Sequence, residues 1–125
     1  MPRNMSFALT TEQFRARSKT VTRRYGWQFA KVGDIVCGVL KSQGLKPGEK
    51  IQRLGMIRLT DVRREPLCRI VEDMAYGVEE TAREGFSKES QPNSWPPTFV
   101  KFFCASHKGC TPGSMITRIE YEYLD

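Results

Sequence analysis

No apolar run in this chain approaches the ~18 residues needed to cross a bilayer. The opening MPRNMSFALTTEQF turns polar too soon for a signal peptide. The expectation is therefore a cytoplasmic protein with no membrane partner. A P-loop, a GxGxxG turn, a Ser-His-Asp pattern and a carboxylate metal cluster are all lacking, which removes the phosphate-loop, dinucleotide, triad-hydrolase and acidic-metal classes. No internal repeat or low-complexity linker divides the sequence. Its 125 residues suit one domain, 1–125, built on one core. Cysteine is sparse: Cys37, Cys68, Cys104 and Cys110, which in a cytosolic chain read as thiols or metal ligands rather than disulfides.

Basic charge is abundant and unevenly placed. With 39% hydrophobic and 27% charged residues the chain should fold rather than stay disordered. The formal charge is +6, yet residues 1–64 hold 14 Lys/Arg against 4 Asp/Glu, while residues 65–125 hold 6 against 10. A basic half on a small domain is the electrostatic footprint of a polyanion partner; the plainer account is a solvated basic surface.

Periodicity outlines the elements. Met5–Leu9 reads as a short strand. Thr10 as N-cap with Gln13 three residues on forms a capping box for a helix running through Phe14 to about Arg17. After a Gly33-Asp34 turn, residues 35–40 are apolar on both faces, as in a buried strand. The basic loop KSQGLKPGEK follows. Then IQRLGMIRLTDVRRE turns Ile57 and Leu59 one way and Arg58 and Thr60 the other, a half-buried strand. Together these predict a long hairpin with its tip near Pro47-Gly48. Beyond Pro66, VEETAREGF predicts a helix closed by Gly85 at C′. SWPPTFVKFFCASHKGC predicts a second, with prolines at its start, a Phe99/Phe102/Phe103 stripe and a stop at Gly109. MITRIEYEYL alternates Ile119, Tyr121 and Tyr123 against Arg118, Glu120 and Glu122, a final strand. This order is α+β with a small mixed or antiparallel sheet, and closure into a barrel would remove bare edges.

The stretch SKTVTRRYGW carries the chemistry. In an extended segment Lys19 and Thr22 point to opposite faces, so they cooperate only where the backbone departs from a regular strand. A threonine hydroxyl needs a base to become a nucleophile, and a lysine serves as one when burial or neighbouring cations, here Arg23 and Arg24, depress its pKa. Arginine forks suit phosphate or carboxylate, and Tyr25 and Trp27 offer faces for stacking a base. A solvated basic strand, a phosphate-binding edge and an active site remain open on these grounds.

Taken in order, SKTVTRR, KVGDIV, GMIRLTDVRREPL and AREGF resemble the ASCH domain (activating signal cointegrator homology) over about residues 6–123. It is similar to the stand-alone versions carried by bacteria and their phages. The resemblance implies a PUA-like small β-barrel of about five to six strands with flanking short helices, and an RNA or modified-nucleoside partner. Some small bacterial members are amidohydrolases that convert N4-acetylcytidine to cytidine and acetate; other relatives cleave RNA or only bind it. Carried over by motif, Lys19 is the lysine, Thr22 the second threonine and Glu84 the glutamate of the amidohydrolase set, with Glu80 as the alternative. Thr20, Arg23, Arg24, Tyr25 and Trp27 are the implied ligand or nucleic-acid contacts, and no cofactor is implied. The chain departs from the pattern in its paired arginines, of which Arg24 is the positional match, and in its loop 41–53 and CASHKGC segment. A helix C-terminus and Glu80 at i−4 both push Glu84 towards protonation, the direction a general acid/base needs.

Cys104, His107 and Cys110 give C-x2-H-x2-C, three ligands where structural zinc takes four. Cys104 reads better as a small core residue and His107 as a helix-end residue, so no metal is expected. Asp34 reads as a turn residue, and Arg63 and Arg64 as solvated surface.

Overall fold

The computed structural model describes residues 2–41, 44–87 and 91–124. Five strands form one sheet in the order β1-β3-β4-β5-β2: β1 (Arg3–Ser6), β2 (Val21–Arg24), β3 (Ile35–Val39), β4 (Arg53–Pro66) and β5 (Met115–Leu124). β1 runs parallel to β3, and every other pairing is antiparallel. The helices are α1 (Thr11–Arg15), α2 (Arg69–Glu72), α3 (Met74–Arg83) and α4 (Pro96–Ala105). The class is α+β, as the periodicity predicts.

The β3–β4 hairpin and β5 follow their patterns closely. Ile57 and Leu59 are buried while Arg58 and Thr60 are exposed. A register shift between Leu59 and Asp61 lets the long β4 bend, so that its two halves serve two apolar clusters. Met5, Phe7, Phe14, Val36, Ile57, Leu59, Ile119 and Tyr121 fill the inside of the curl. Leu67, Ile70, Phe86, Phe99, Val100, Phe103 and Ile116 join the helices to the other end of the sheet. The tip of the Phe14 ring reaches the sheet because Gly38 has no side chain: a Cβ there would sit 2.5 Å from the ring's Cζ.

Several expectations need correction. The barrel is not closed: β1 and β2 are free edges of a curled half-barrel. The first strand ends at Ser6, and Ala8–Thr10 turns as a 3-10 helix. The capping box does not form. Thr10 makes no side-chain cap bond, and Thr11 instead donates its hydroxyl to the Phe7 carbonyl at 2.8 Å. The helix stops at Arg15, and Arg17 takes a left-handed φ of 59° that turns the chain towards β2. Arg118, on the polar side of the β5 alternation, is nevertheless 1% exposed because α3 covers that face of β5. Ser42 and Gln43 of the basic loop lie outside the described residues. Among the described residues, no helix is long and apolar enough to cross a membrane.

Candidate active site

The end of α3 sets the site. Gly85, at φ +105°, directs its N–H to the Ala82 carbonyl, and Phe86 directs its N–H to Thr81, which is the hydrogen-bond pattern of a Schellman cap. The cap reverses the chain, sends Phe86 into the second cluster and leaves Glu84 facing β2. β2 begins only at Val21. Ahead of it, Thr20 donates its N–H to the Arg83 carbonyl at 2.8 Å and accepts from Tyr121 N–H at 3.1 Å, while the Lys19 carbonyl accepts from the Tyr123 hydroxyl. Lys19 therefore lies outside the regular strand, on backbone pinned to α3 and β5. That break is what the spacing argument requires for Lys19 and Thr22 to share a site.

Lys19, 2% exposed, donates to Glu84 Oε1 at 2.7 Å and to the Glu84 carbonyl at 3.0 Å. Burial lowers the Lys19 pKa from its ordinary value; Glu84 opposes the drop, and Arg24 and Arg23 add to it. Glu84 Oε2 accepts from Arg23 at 3.3 Å. The guanidinium of Arg23 also reaches Glu80 at 2.7 Å and Glu65 at 3.1 Å. Glu80, fully buried, takes Arg118 through Nε at 2.5 Å and Nη2 at 3.0 Å. Burial opposes the Glu80 charge, but the hydrogen bonds and charges of Arg118 and Arg23 outweigh it and hold its carboxyl down at about 2. Glu84 and Glu80 thus do not face each other as the bare like-charged pair expected from the sequence, since Arg23 bridges them while Lys19 pairs with Glu84 and Arg118 with Glu80.

Arg24 differs from its neighbours. Its Nε donates to Thr22 Oγ1 at 3.1 Å, and its guanidinium lies 4.9 Å over the Phe7 ring. No carboxylate among the described residues pairs with it within salt-bridge distance. Burial pulls its pKa down to about 10, against a smaller upward pull from Glu84 and Tyr121. A partly buried guanidinium whose terminal amines have no partner among the described residues is a ready partner for an anionic or carbonyl oxygen.

These groups converge on a cavity of about 410 Å³ at the seam between the two free sheet edges, a size typical of small-molecule sites. Lys19, Thr22, Arg23, Arg24 and Glu84 supply its polar side. Phe7, Phe86, Phe99, Phe102, Phe103 and His107 supply an aromatic side, and Ser6, Ala8, Leu9, Thr10 and Ser106 complete the lining. The unclosed barrel and the cavity are one feature, since Ser6 and Phe7 leave β1 where Thr22 and Arg24 face them from β2.

Other residues singled out from the sequence lie elsewhere. Thr20 serves the backbone junction described above. Tyr25 packs on the second cluster with its hydroxyl on the Gly109 carbonyl, and Trp27 packs on the first cluster beside Phe29; neither lines the cavity. Arg23 borders the cavity, but its terminal amines are committed to Glu65, Glu80, Glu84 and Tyr76. Asp34 caps its own turn by accepting Lys31 N–H. Arg63 and Arg64 are exposed, as expected, with Arg63 pairing to Glu65 and Arg64 donating to Thr117 Oγ1. Cys104 and Cys110 approach to 3.8 Å, whereas His107 turns its Nδ1 to the Phe103 carbonyl, and among the described residues no three ligating side chains gather as a metal set.

The sequence reading missed the aromatic wall as a site. The Phe99/Phe102/Phe103 stripe reads as core, and in the structure these rings both join the second cluster and line the cavity. It also missed Glu65 and Arg118, and the ion-pair role of Glu80, since their partners lie far apart in the chain.

No family model matches the chain, and no curated protein matches it. Among solved structures it is similar to the crystal structure of protein EF3133 from Enterococcus faecalis V583, of the family DUF984, at 21% identity and a TM-score of 0.52. The match covers all of this chain and 81% of that one. The chain therefore shares a fold with the enterococcal protein.

Proposed function

We propose that the cavity binds a modified nucleoside and hydrolyses an amide on its base, with N4-acetylcytidine as the probe substrate. The observation that carries this reading is the buried Lys19–Glu84 pair, 2.7 Å apart, on the same cavity wall as the Thr22 hydroxyl. The ASCH-like order of motifs assigns the same three residues, and the aromatic side of the cavity suits a planar base.

The chemistry follows from the groups present. Lys19 passes its proton to Glu84 Oε1 along their hydrogen bond and becomes a free amine, a change its burial favours. The amine takes the proton of Thr22, and Oγ1 attacks the acyl carbon. Arg24, whose Nε holds Oγ1 in place, offers its terminal amines to the acyl oxygen, where the negative charge of the tetrahedral intermediate develops. Collapse of the tetrahedral intermediate breaks the C–N bond, the protonated lysine supplies a proton to the leaving amine, and the acyl group stays on Thr22 as an ester. Water, with Lys19 again as base, attacks the ester carbon; the C–Oγ1 bond breaks, Lys19 passes that proton to Thr22 Oγ1, acetic acid leaves, and Glu84 returns its proton to Lys19.

A binding module without hydrolysis is the second reading. The same ion pair favours it, because a lysine that keeps its proton is no base. Incubation with N4-acetylcytidine, followed by chromatography for cytidine, separates the two. Cytidine release by wild type and its loss in Lys19→Ala support hydrolysis; an inert wild type that still binds the nucleoside supports binding alone.

A further inference from the structure

We infer that His107 is a further ligand-contacting residue of this cavity, accepting through Nε2 a hydrogen bond from an N–H or O–H donor of the bound molecule. The inference rests on the nucleoside reading of the same cavity and adds to it a residue that the motif order does not supply. His107 stands beyond the end of α4, and three contacts fix its ring. Nδ1 lies 2.8 Å from the Phe103 carbonyl, the ring stacks on Phe103 at 4.3 Å and 27°, and Tyr25 meets it edge-on at 6.0 Å. A carbonyl only accepts, so Nδ1 carries the proton of the neutral ring and Nε2 carries the lone pair. Nε2, on the other side of the ring from Nδ1, has no partner among the described residues, and His107 lines the cavity. The polar side of the cavity is lined by the cations Lys19 and Arg24 and carries the donors they offer. An acceptor held on the aromatic side gives the site a complementary requirement. A ligand that presents an acceptor to β2 and a donor to α4 meets both, as a nucleoside does with its base carbonyl and its amine or sugar hydroxyls.

The chain contains one histidine, so its ring nitrogens give an unambiguous nuclear magnetic resonance reporter. The test uses the full chain at mildly alkaline pH, with cytidine and N4-acetylcytidine as probes and with His107→Phe and His107→Gln as variants. The expected result has several parts. The ligand-free ring shows the Nδ1–H tautomer, the Nε2 resonance moves on adding nucleoside, His107→Phe weakens binding about tenfold or more, and His107→Gln, which restores an acceptor, recovers part of that loss. An Nε2–H tautomer, an Nε2 resonance indifferent to both nucleosides, or unchanged affinity in His107→Phe overturns the inference. The outcomes also separate it from the hydrolytic reading. A protein that releases no cytidine but whose Nε2 answers to cytidine keeps the His107 contact and loses the reaction. One that releases cytidine with an unchanged KM in His107→Phe keeps the reaction and loses the contact.

Discussion

Replacing Glu80 with glutamine keeps the shape of the side chain and removes its charge from the centre of the buried network. In the native protein that carboxylate receives Arg118 at 2.5 and 3.0 Å, Arg23 at 2.7 Å and the half-exposed Arg83 at 3.2 Å. Removing one partner of a buried ion pair costs about 3–5 kcal/mol, because the remaining charge stays out of water. The proton affinity gives a similar figure. A fall in pKa from 4.5 to about 2, at about 1.4 kcal/mol per tenfold change, is about 3 kcal/mol. Of a total stability of order 5–15 kcal/mol this is a large share, and for a chain of this length it lowers Tm by roughly 10 °C. Urea denaturation of wild type and Glu80→Gln at neutral pH measures the difference. The sign with pH is fixed. The folded carboxyl binds its proton less readily than the unfolded one, so its stabilisation is complete above 4.5 and is lost as pH falls towards 2. Glu80→Gln should lack that part of the acid slope. A variant within about 1 kcal/mol of wild type, with an unchanged acid slope, would refute the view that this cluster is electrostatically organised around Glu80.

Other consequences concern single positions. Gly85→Ala puts a Cβ 2.7 Å from Gln13 Cγ at a φ of +105°; a loss of about 1–3 kcal/mol in urea melts is expected, and a neutral effect would contradict the cap. The Lys19 amine should titrate below 10.5 when followed by its ε-carbon resonance, and lower again in Glu84→Gln, because Glu84 is the group that opposes its drop; a value at or above 10.5 refutes the burial argument. That shift also makes stability rise with pH between the folded value and 10.5, since the unfolded lysine binds the extra proton there. Arg24→Met removes a shielded cation with no carboxylate partner among the described residues, so it should stabilise the fold by about 1–2 kcal/mol while weakening nucleoside binding. Calorimetry measures the binding change, and unchanged affinity would remove Arg24 from the ligand site.

The strands were legible where one pattern ruled. MITRIEYEYL predicts β5 residue for residue, and Gly85 marks the end of α3, because alternation and left-handed φ are local properties. Arg118 shows where locality fails. Alternation gives two faces but not whether a second layer covers the polar one, and Glu80, 38 residues away, supplies that cover. α2, with four residues, is too short to show a helical period. The juxtaposition of Lys19 and Glu84 across 65 residues came from resemblance, since spacing carries no long-range distance. Tyr25 and Trp27 read as ligand contacts because aromatic residues beside a basic run look the same in sequence whether they face a cavity or a core. In sequence His107 stands with Cys104 and Cys110, whereas its partner in the fold is the Phe103 carbonyl one turn back on α4.

The central claim is that Lys19 and Thr22 work as one unit, base and nucleophile, on a base-linked amide. A double-mutant comparison of cytidine release from N4-acetylcytidine by wild type, Lys19→Ala, Thr22→Val and the combined variant tests it most directly. The account predicts that each single change lowers kcat by about a thousandfold or more and that the combined change costs no more than either alone, as for groups acting together. Losses that multiply in the double variant, a Thr22→Val protein as active as wild type, or a wild type that releases no cytidine would contradict it.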